Sequence, residues 1–173
     1  GRNISMSSYP GVPFLAAFFY LIQNSLGLGI SVYNVCLYFP IIMAVLTIIT
    51  IYYLGKEIYN RFTGIFAALF MAIIPAFIHR TSIGFFDTEN IGIFAITATS
   101  LFFLKSSDKK KSIEKRTIYG LLSGASLGLI FASWGAAKYM VGMLALYMIF
   151  LVISERYETR HLISYVITLG IGY

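Results

Sequence analysis

YNVCLYFPIIMAVLTIITIYYL, Tyr33 to Leu54, is 22 residues long and carries no charged side chain. The hydrocarbon core of a bilayer is about 30 Å thick, and an α-helix needs roughly 20 residues to cross it. The stretch therefore predicts a membrane-spanning helix. Working outward, segments 63–78, 90–104, 117–133, 137–153 and 162–173 read the same way in whole or part, the last being truncated. These runs are continuously apolar rather than alternating, which excludes a β-barrel, and helices are then the remaining way to satisfy the backbone in lipid. Composition agrees. Of 173 residues 58% are hydrophobic, 17% aromatic and 12% charged, against roughly 25% charged in an average soluble domain. The expected fold class is all-α, a polytopic transmembrane helical bundle.

A seventh apolar run, Phe14 to Ile22, is too short to span. Pro10, Gly11 and Pro13 precede it and Gln23, Asn24 and Ser25 follow it. This pattern predicts a helix lying in the interface or re-entering from one side. The chain accordingly divides into 1–32, an external segment with that helix, and 33–173, about six spans. The single cysteine, Cys36, excludes a disulfide framework and reads as a small buried hydrophobe. No signal-peptide pattern is visible. The chain begins at Gly1 rather than methionine and stops at Tyr173 inside an apolar run, as expected for a piece of a longer protein.

The net charge of +6 does not point to nucleic acid, because the basic residues sit in short loops between spans. Loop 55–61 holds Lys56 and Arg61; loop 105–116 holds Lys105, Lys109, Lys110, Lys111, Lys115 and Arg116; loop 154–161 holds Arg156 and Arg160. Together these are ten of the thirteen basic residues, and one crossing per segment puts all three loops on one side. The positive-inside rule makes that side cytoplasmic, with Lys109–Lys111 as an orientation anchor near anionic lipid. The loop from Arg80 to Glu89 then faces outward. Gly120, Ser123, Gly124, Ser126 and Gly128 predict a small-residue face on span 117–133, as do Gly64, Ala67 and Ala68 on span 63–78. Pro75 predicts a kink towards the outward loop.

That loop, HRTSIGFFDTENIGIF from His79 to Phe94, carries the chemistry. Asp87 and Glu89 lie two apart, with Arg80 upstream and apolar runs on both sides, in a chain with only seven acidic residues. An ionised group near hydrocarbon costs several kcal/mol unless it is paired, metal-bound or wetted. Two readings stand side by side. Alternate carboxylates can converge on a hard divalent cation such as Mg²⁺ or Mn²⁺, whose remaining ligands come from water, substrate or another part of the protein. The same acids can instead cap the helix that follows, for about 1 kcal/mol. Gly84 permits a close approach of Arg80, and Phe85 and Phe86 would hold the loop at headgroup depth.

The stretch resembles the second acidic motif of the catalytic subunit of oligosaccharyltransferase, in which an Arg-Thr/Ser-x-x-Gly-aromatic-aromatic-Asp-x-Asp/Glu run opens a transmembrane helix. Arg80, Gly84, Phe86, Asp87 and Glu89 match. SSYPGVPFL (Ser7–Leu15) is similar to a Tyr-Pro-Gly stretch late in the family's first external loop, and ASWGAAKYM (Ala132–Met140) to the Trp-Gly turn between its fifth and sixth spans. The FFDTE wording looks more like the archaeal enzymes than the eukaryotic ones. The resemblance implies a type C glycosyltransferase-like bundle that moves a glycan from a dolichyl-phosphate type carrier to asparagine in N-x-S/T sequons. It implies Mn²⁺ or Mg²⁺ held by Asp87 and Glu89, with Arg80 orienting the acids and Glu89 alternatively holding the acceptor amide. It also places Trp134, Lys138 and Tyr139 on the lipid-pyrophosphate side, where an interfacial anchor with a snorkelling lysine is the alternative. Residues 1–32 become the end of the first external loop, and the setting an archaeal cell membrane with the site outside.

The family's first acidic motif, its external glutamate and its Trp-Trp-Asp-Tyr-Gly motif are not among these residues, so the resemblance implies a fragment inactive alone. Asn3-Ile4-Ser5 is itself a sequon that chance explains. Two alternatives remain. One is another polyprenyl-phosphate-dependent membrane glycosyltransferase. The other is a transporter, which predicts acids within the spans or an internal repeat. Spans 33–54, 63–78, 90–104 and 117–133 hold no Asp or Glu.

Overall fold

The computed structural model describes residues 9–173; Arg2, the Asn3-Ile4-Ser5 sequon and Ser7–Ser8 of the Tyr-Pro-Gly stretch lie outside the described residues. All regular structure among them is helical: α1 (Gly11–Ser25), α2 (Val32–Ile58), α3 (Arg61–Ile73), α4 (Pro75–Arg80), α5 (Thr88–Ser107), α6 (Ile113–Ser133), α7 (Ala137–Ile153) and α8 (Thr159–Gly172). The helix starts follow from capping chemistry. Ser31 accepts the Asn34 N–H ahead of α2, Asn60 accepts the Thr63 N–H ahead of α3, and Glu158 forms a reciprocal box with His161 ahead of α8.

Segment 63–78 is two helices rather than one kinked span. Proline disfavours the helical conformation in the residue before it, and Ile74 is extended at φ −65°, ψ 120°. The break before Pro75 restarts the chain as α4, whose last residue is Arg80. α2, at 27 residues, is by itself long and apolar enough to span. α3 and α7 are apolar but shorter, at 13 and 17 residues. α5 and α6, at 20 and 21 residues, are long enough but more polar. Most of their hydroxyls are bonded, the buried Ser107 and Ser133 Oγ atoms being exceptions. Thr99 donates to Ala95 O (2.7 Å), Ser123 to Thr99 O (3.0 Å) and Ser106 to Ser164 Oγ (2.6 Å). Where lipid removes most of the hydrophobic drive between helices, such bonds and close backbone packing hold the bundle together.

α5 is the central helix, packed against α6, α2 and α8. The small-residue face of α6 turns out to serve two neighbours. Ser123 reaches α5, while Gly120 and Gly124 let Ile167 and Ile171 of α8 lie against the α6 backbone. The short helix α1 does not stand apart: Val12 and Ala16 are buried with Phe39, Met43 and Ile91. Its other face leaves Phe14, Phe18 and Leu21 exposed, an amphipathic division that suits an interface.

The bundle has two chemically different ends. The α2–α3 turn and the α5–α6 loop meet at one of them, where Lys111 bonds Glu57 at 2.7 Å and Arg116 bonds the Ser106 carbonyl at 3.0 Å. The loop carrying Asp87 and Glu89 lies at the other, with the α6–α7 turn and the start of α1 against Ala132 and Ser133. The sorting of loops by charge thus coincides with the two ends of the structure.

Candidate functional site

The acid loop is built by α5 and anchored on α2. Asp87 is the N-cap of α5 at φ −137°, ψ 163°, and its Oδ1 accepts the Thr88 N–H at 2.6 Å and the Thr88 hydroxyl at 3.2 Å. Glu89 is in the first turn, where the helix dipole favours negative charge. The capping reading is therefore correct for Asp87, and it occupies only one of the two carboxylate oxygens. Arg80, at the end of α4, points its Nε at Glu89 Oε2 at 3.1 Å and its Nη1 at Asp87 Oδ2 at 3.9 Å. The guanidinium also lies 5.4 Å from the centroid of the Phe85 ring. The structure thus brings together the three residues that the sequence singles out. Two acids against one arginine leave one net negative charge, open to solvent: the Arg80 and Asp87 side chains are 44% and 43% exposed.

Asn90 holds the loop from below. It is 2% exposed, and its Nδ2 donates to Phe85 O at 2.7 Å and to Asp87 O at 3.2 Å. Gly84 adopts φ +82°, a left-handed conformation that costs other residues energy, and its N–H donates to Leu37 O of α2 at 3.0 Å. That acceptor lies in the turn of α2 ahead of Pro40, which sits inside the continuous helix and has no N–H to donate back to it. Phe86 meets buried Phe39 edge-on at 5.2 Å, and Phe85 lies 5.7 Å from His79. Both rings therefore have protein partners and pin the loop from within.

Arg80 and Glu89 face an open groove of about 380 Å³, walled by Met71, Ile74, Ala76, Phe77, Ile93 and Trp134. The groove exists because α3 stops at Ile73 and α4 sets off anew beside α5. Trp134 reaches it by lying across Gly92, where a Cβ would overlap the indole ring. Of the three residues assigned to the pyrophosphate side, Trp134 lines the groove. Lys138 and Tyr139 are exposed in the first turn of α7 and do not.

As a cation site the loop offers hard oxygen donors. Asp87 has one oxygen capped and the other 3.9 Å from the guanidinium, beyond hydrogen-bonding distance and free to take a ligand. Glu89 is engaged with Arg80. Among the described residues no third His, Cys, Asp or Glu gathers beside them, so the donor set fits a hydrated divalent ion in part. The sequence reading missed Pro40, Asn90 and Gly92. A proline inside an apolar run was the available signal for the first. Asn90 and Gly92 have no local signal, because their roles lie in partners remote in sequence or in a side-chain direction.

Comparison with known proteins bears on the whole chain. The family model described as Oligosaccharyl transferase STT3, N-terminal, matches residues 6–173. The Caenorhabditis elegans dolichyl-diphosphooligosaccharide–protein glycosyltransferase subunit stt-3 is 31% identical over 165 residues, covering 95% of this chain and 21% of that protein. The Saccharomyces cerevisiae subunit STT3 is 30% identical over 173 residues, covering 99% and 23%. The chain thus spans between a fifth and a quarter of the length of these relatives. Among solved structures, the Archaeoglobus fulgidus oligosaccharyltransferase in complex with Zn and sulfate superposes with a TM-score of 0.82 at 24% identity, covering 95% of this chain and 22% of that one. Archaeal AglB from the same organism, in complex with an inhibitory peptide and a dolichol-phosphate, superposes with a TM-score of 0.75 at 23% identity, covering 95% and 20%. At these identities the likeness establishes the fold.

Proposed function

The chain belongs to the STT3 oligosaccharyltransferase family, an integral membrane family, and from that premise we propose that it is part of the membrane core of an enzyme that transfers a glycan from a lipid-(pyro)phosphate carrier to asparagine in N-x-S/T sequons. The observation that carries the proposal is the Arg80–Asp87–Glu89 triad at the rim of the Trp134 groove, with both acids at the start of α5. The printed names of its relatives, which include a structure with a peptide and a dolichol-phosphate, support the substrate classes. Residues 1–32 are then the end of an external loop and 33–173 the spans. The acid loop faces outward, in an archaeal cell membrane on the FFDTE wording.

On this reading the two acids divide the work. A carboxamide nitrogen is a poor nucleophile because its lone pair is shared with the carbonyl. A carboxylate accepting its N–H bonds weakens that conjugation. Glu89, oriented by Arg80 at 3.1 Å, is the acid suited to this role. Asp87, with one oxygen held by Thr88 and the other open, is suited to ligate Mn²⁺ or Mg²⁺ with waters and donors from the rest of the protein. When bound, such an ion neutralises the charge that develops on the departing phosphate. Trp134 shapes an apolar wall for the carrier, while Lys138 and Tyr139 contribute only where the carrier extends beyond the groove.

The test uses the full-length protein with lipid-linked oligosaccharide, an N-x-T peptide and Mn²⁺. Asp87→Ala is expected to abolish transfer with the fold intact; wild-type transfer by this variant would sink the ligand assignment. A cysteine placed at position 86 should label from the outer face, and labelling only from the cytoplasmic face would overturn the orientation.

A further inference from the structure

At the end of the bundle away from the acid loop, a cleft of about 570 Å³ opens between the α2–α3 turn and the α5–α6 loop. It is lined by Lys56, Glu57, Ile58, Leu104, Asp108 and Lys110. Its charges are not equivalent. Lys111 donates to Glu57 Oε1 at 2.7 Å and pairs with Asp108, and the three side chains are only 21–26% exposed. The Lys111 ammonium holds the Asp108 carboxyl below its ordinary value. Burial works against the charge on Lys111, but its bonds to Asp108 and Glu57 outweigh that and keep it raised. Lys111 holds both acids of the cleft in ion pairs and leaves one formal negative charge, so that with Lys56 and Lys110 the cleft carries a net charge of +1.

Lys56 and Lys110 are left at the rim, both exposed and neither in an ion pair among the described residues. Below them the wall is Ile58, 64% exposed, and Leu104. Close by, the Lys105 ammonium sits 5.6 Å and 5.3 Å from the Tyr53 and Tyr119 rings, a tyrosine level of the kind that marks a membrane–water boundary. Two ammonium groups above an apolar wall at that depth match the two halves of an anionic lipid. The phosphodiester meets the lysines and an acyl chain follows the greasy surface.

We infer that this cleft binds the phosphodiester headgroup of an anionic membrane lipid through Lys56 and Lys110, with an acyl chain along Ile58 and Leu104. A zwitterionic headgroup fits less well, because its own cation meets the same lysines. The consecutive lysines 109–111 thus have separate tasks: Lys111 ties α2 to α5, Lys110 binds lipid, and Lys109 faces solvent.

The full-length protein in neutral detergent, titrated with phosphatidylglycerol, phosphatidylcholine or glycerol 3-phosphate and read by native mass spectrometry, tests this. Phosphatidylglycerol should bind saturably and at least about tenfold tighter than phosphatidylcholine. The double variant K56Q/K110Q should weaken it about fivefold or more, while K115Q/R156Q, exposed basic residues outside the cleft, stays within about twofold. Equal losses in both double variants would reduce the effect to bulk charge and overturn the site. So would equal affinity for the two lipids. Glycerol 3-phosphate binding as well as the lipid would assign a soluble phosphate instead. Matching thermal melts for both variants separate lost binding from lost fold.

Discussion

Each end of the bundle sets one cation between two carboxylates, with opposite results. Lys111 is 21% exposed and makes close bonds to Glu57 and Asp108, sealing two loops together. Arg80 is 44% exposed, touches Glu89 at 3.1 Å and stands 3.9 Å from Asp87. A sealed triad gains from low local dielectric and cannot change partners without cost. A wet, loosely held triad contributes little to stability. Its groups can exchange an internal partner for a substrate or ion, and the same three charges therefore make a fastening at one end and a working surface at the other.

The largest test of this contrast pairs Asp87→Ala with Glu57→Ala in the full-length protein. Turnover should fall to background in the first, a loss of at least about 10²–10³, the scale of losing one preorganised electrostatic group, and stay within about twofold in the second. Equal losses at the two ends would break the comparison. Next in size, Gly92→Val should push Trp134 off α5 and cost about 1–3 kcal/mol by overpacking, seen as a lower melting temperature together with altered tryptophan fluorescence. Lys111→Met should cost about 1–2 kcal/mol by leaving two half-sealed carboxylates without their cation. Arg80→Met should hardly move the melting temperature.

The Lys111→Met deficit should also depend on pH with a definite sign. The folded state lowers Asp108, so its contribution is present above the ordinary value of 3.8 and is lost as pH falls through the lowered one. It raises Lys111, whose contribution is present below 10.5 and is lost as pH rises through the raised value. Wild type and variant should therefore converge at both extremes and differ most between them. The smallest effect is expected at Glu155, which ends α7 in a left-handed conformation at φ +57°. Glu155→Gly should stabilise by no more than about 1 kcal/mol, and a loss would show that the Glu155 side chain matters more than its backbone.

Much of this was legible in the residues. Apolar runs located the helices because a span must be long and uncharged. The basic loops sorted the two ends because charge bias follows topology rather than packing. The start of α5 was marked by the acids themselves. Other features depend on partners far away in sequence. Nothing in the run Lys109–Lys111 distinguishes the lysine that turns in to Glu57 from its neighbours. Gly92 reads as an ordinary helix glycine until Trp134 of the α6–α7 turn lies across it. Pro75 announced a bend, but a full interruption at Ile74 with a groove behind it needed α5 and Trp134 to be in place.

The bond from Gly84 to Leu37 lands on the stretch of α2 ahead of Pro40, where the proline leaves the helix one backbone clasp short. That bond ties the acid loop to the first turns of α2 through the two backbones. Asp87 and Glu89 thus rest on a two-point mounting, the N-terminus of α5 on one side and the backbone of α2 on the other.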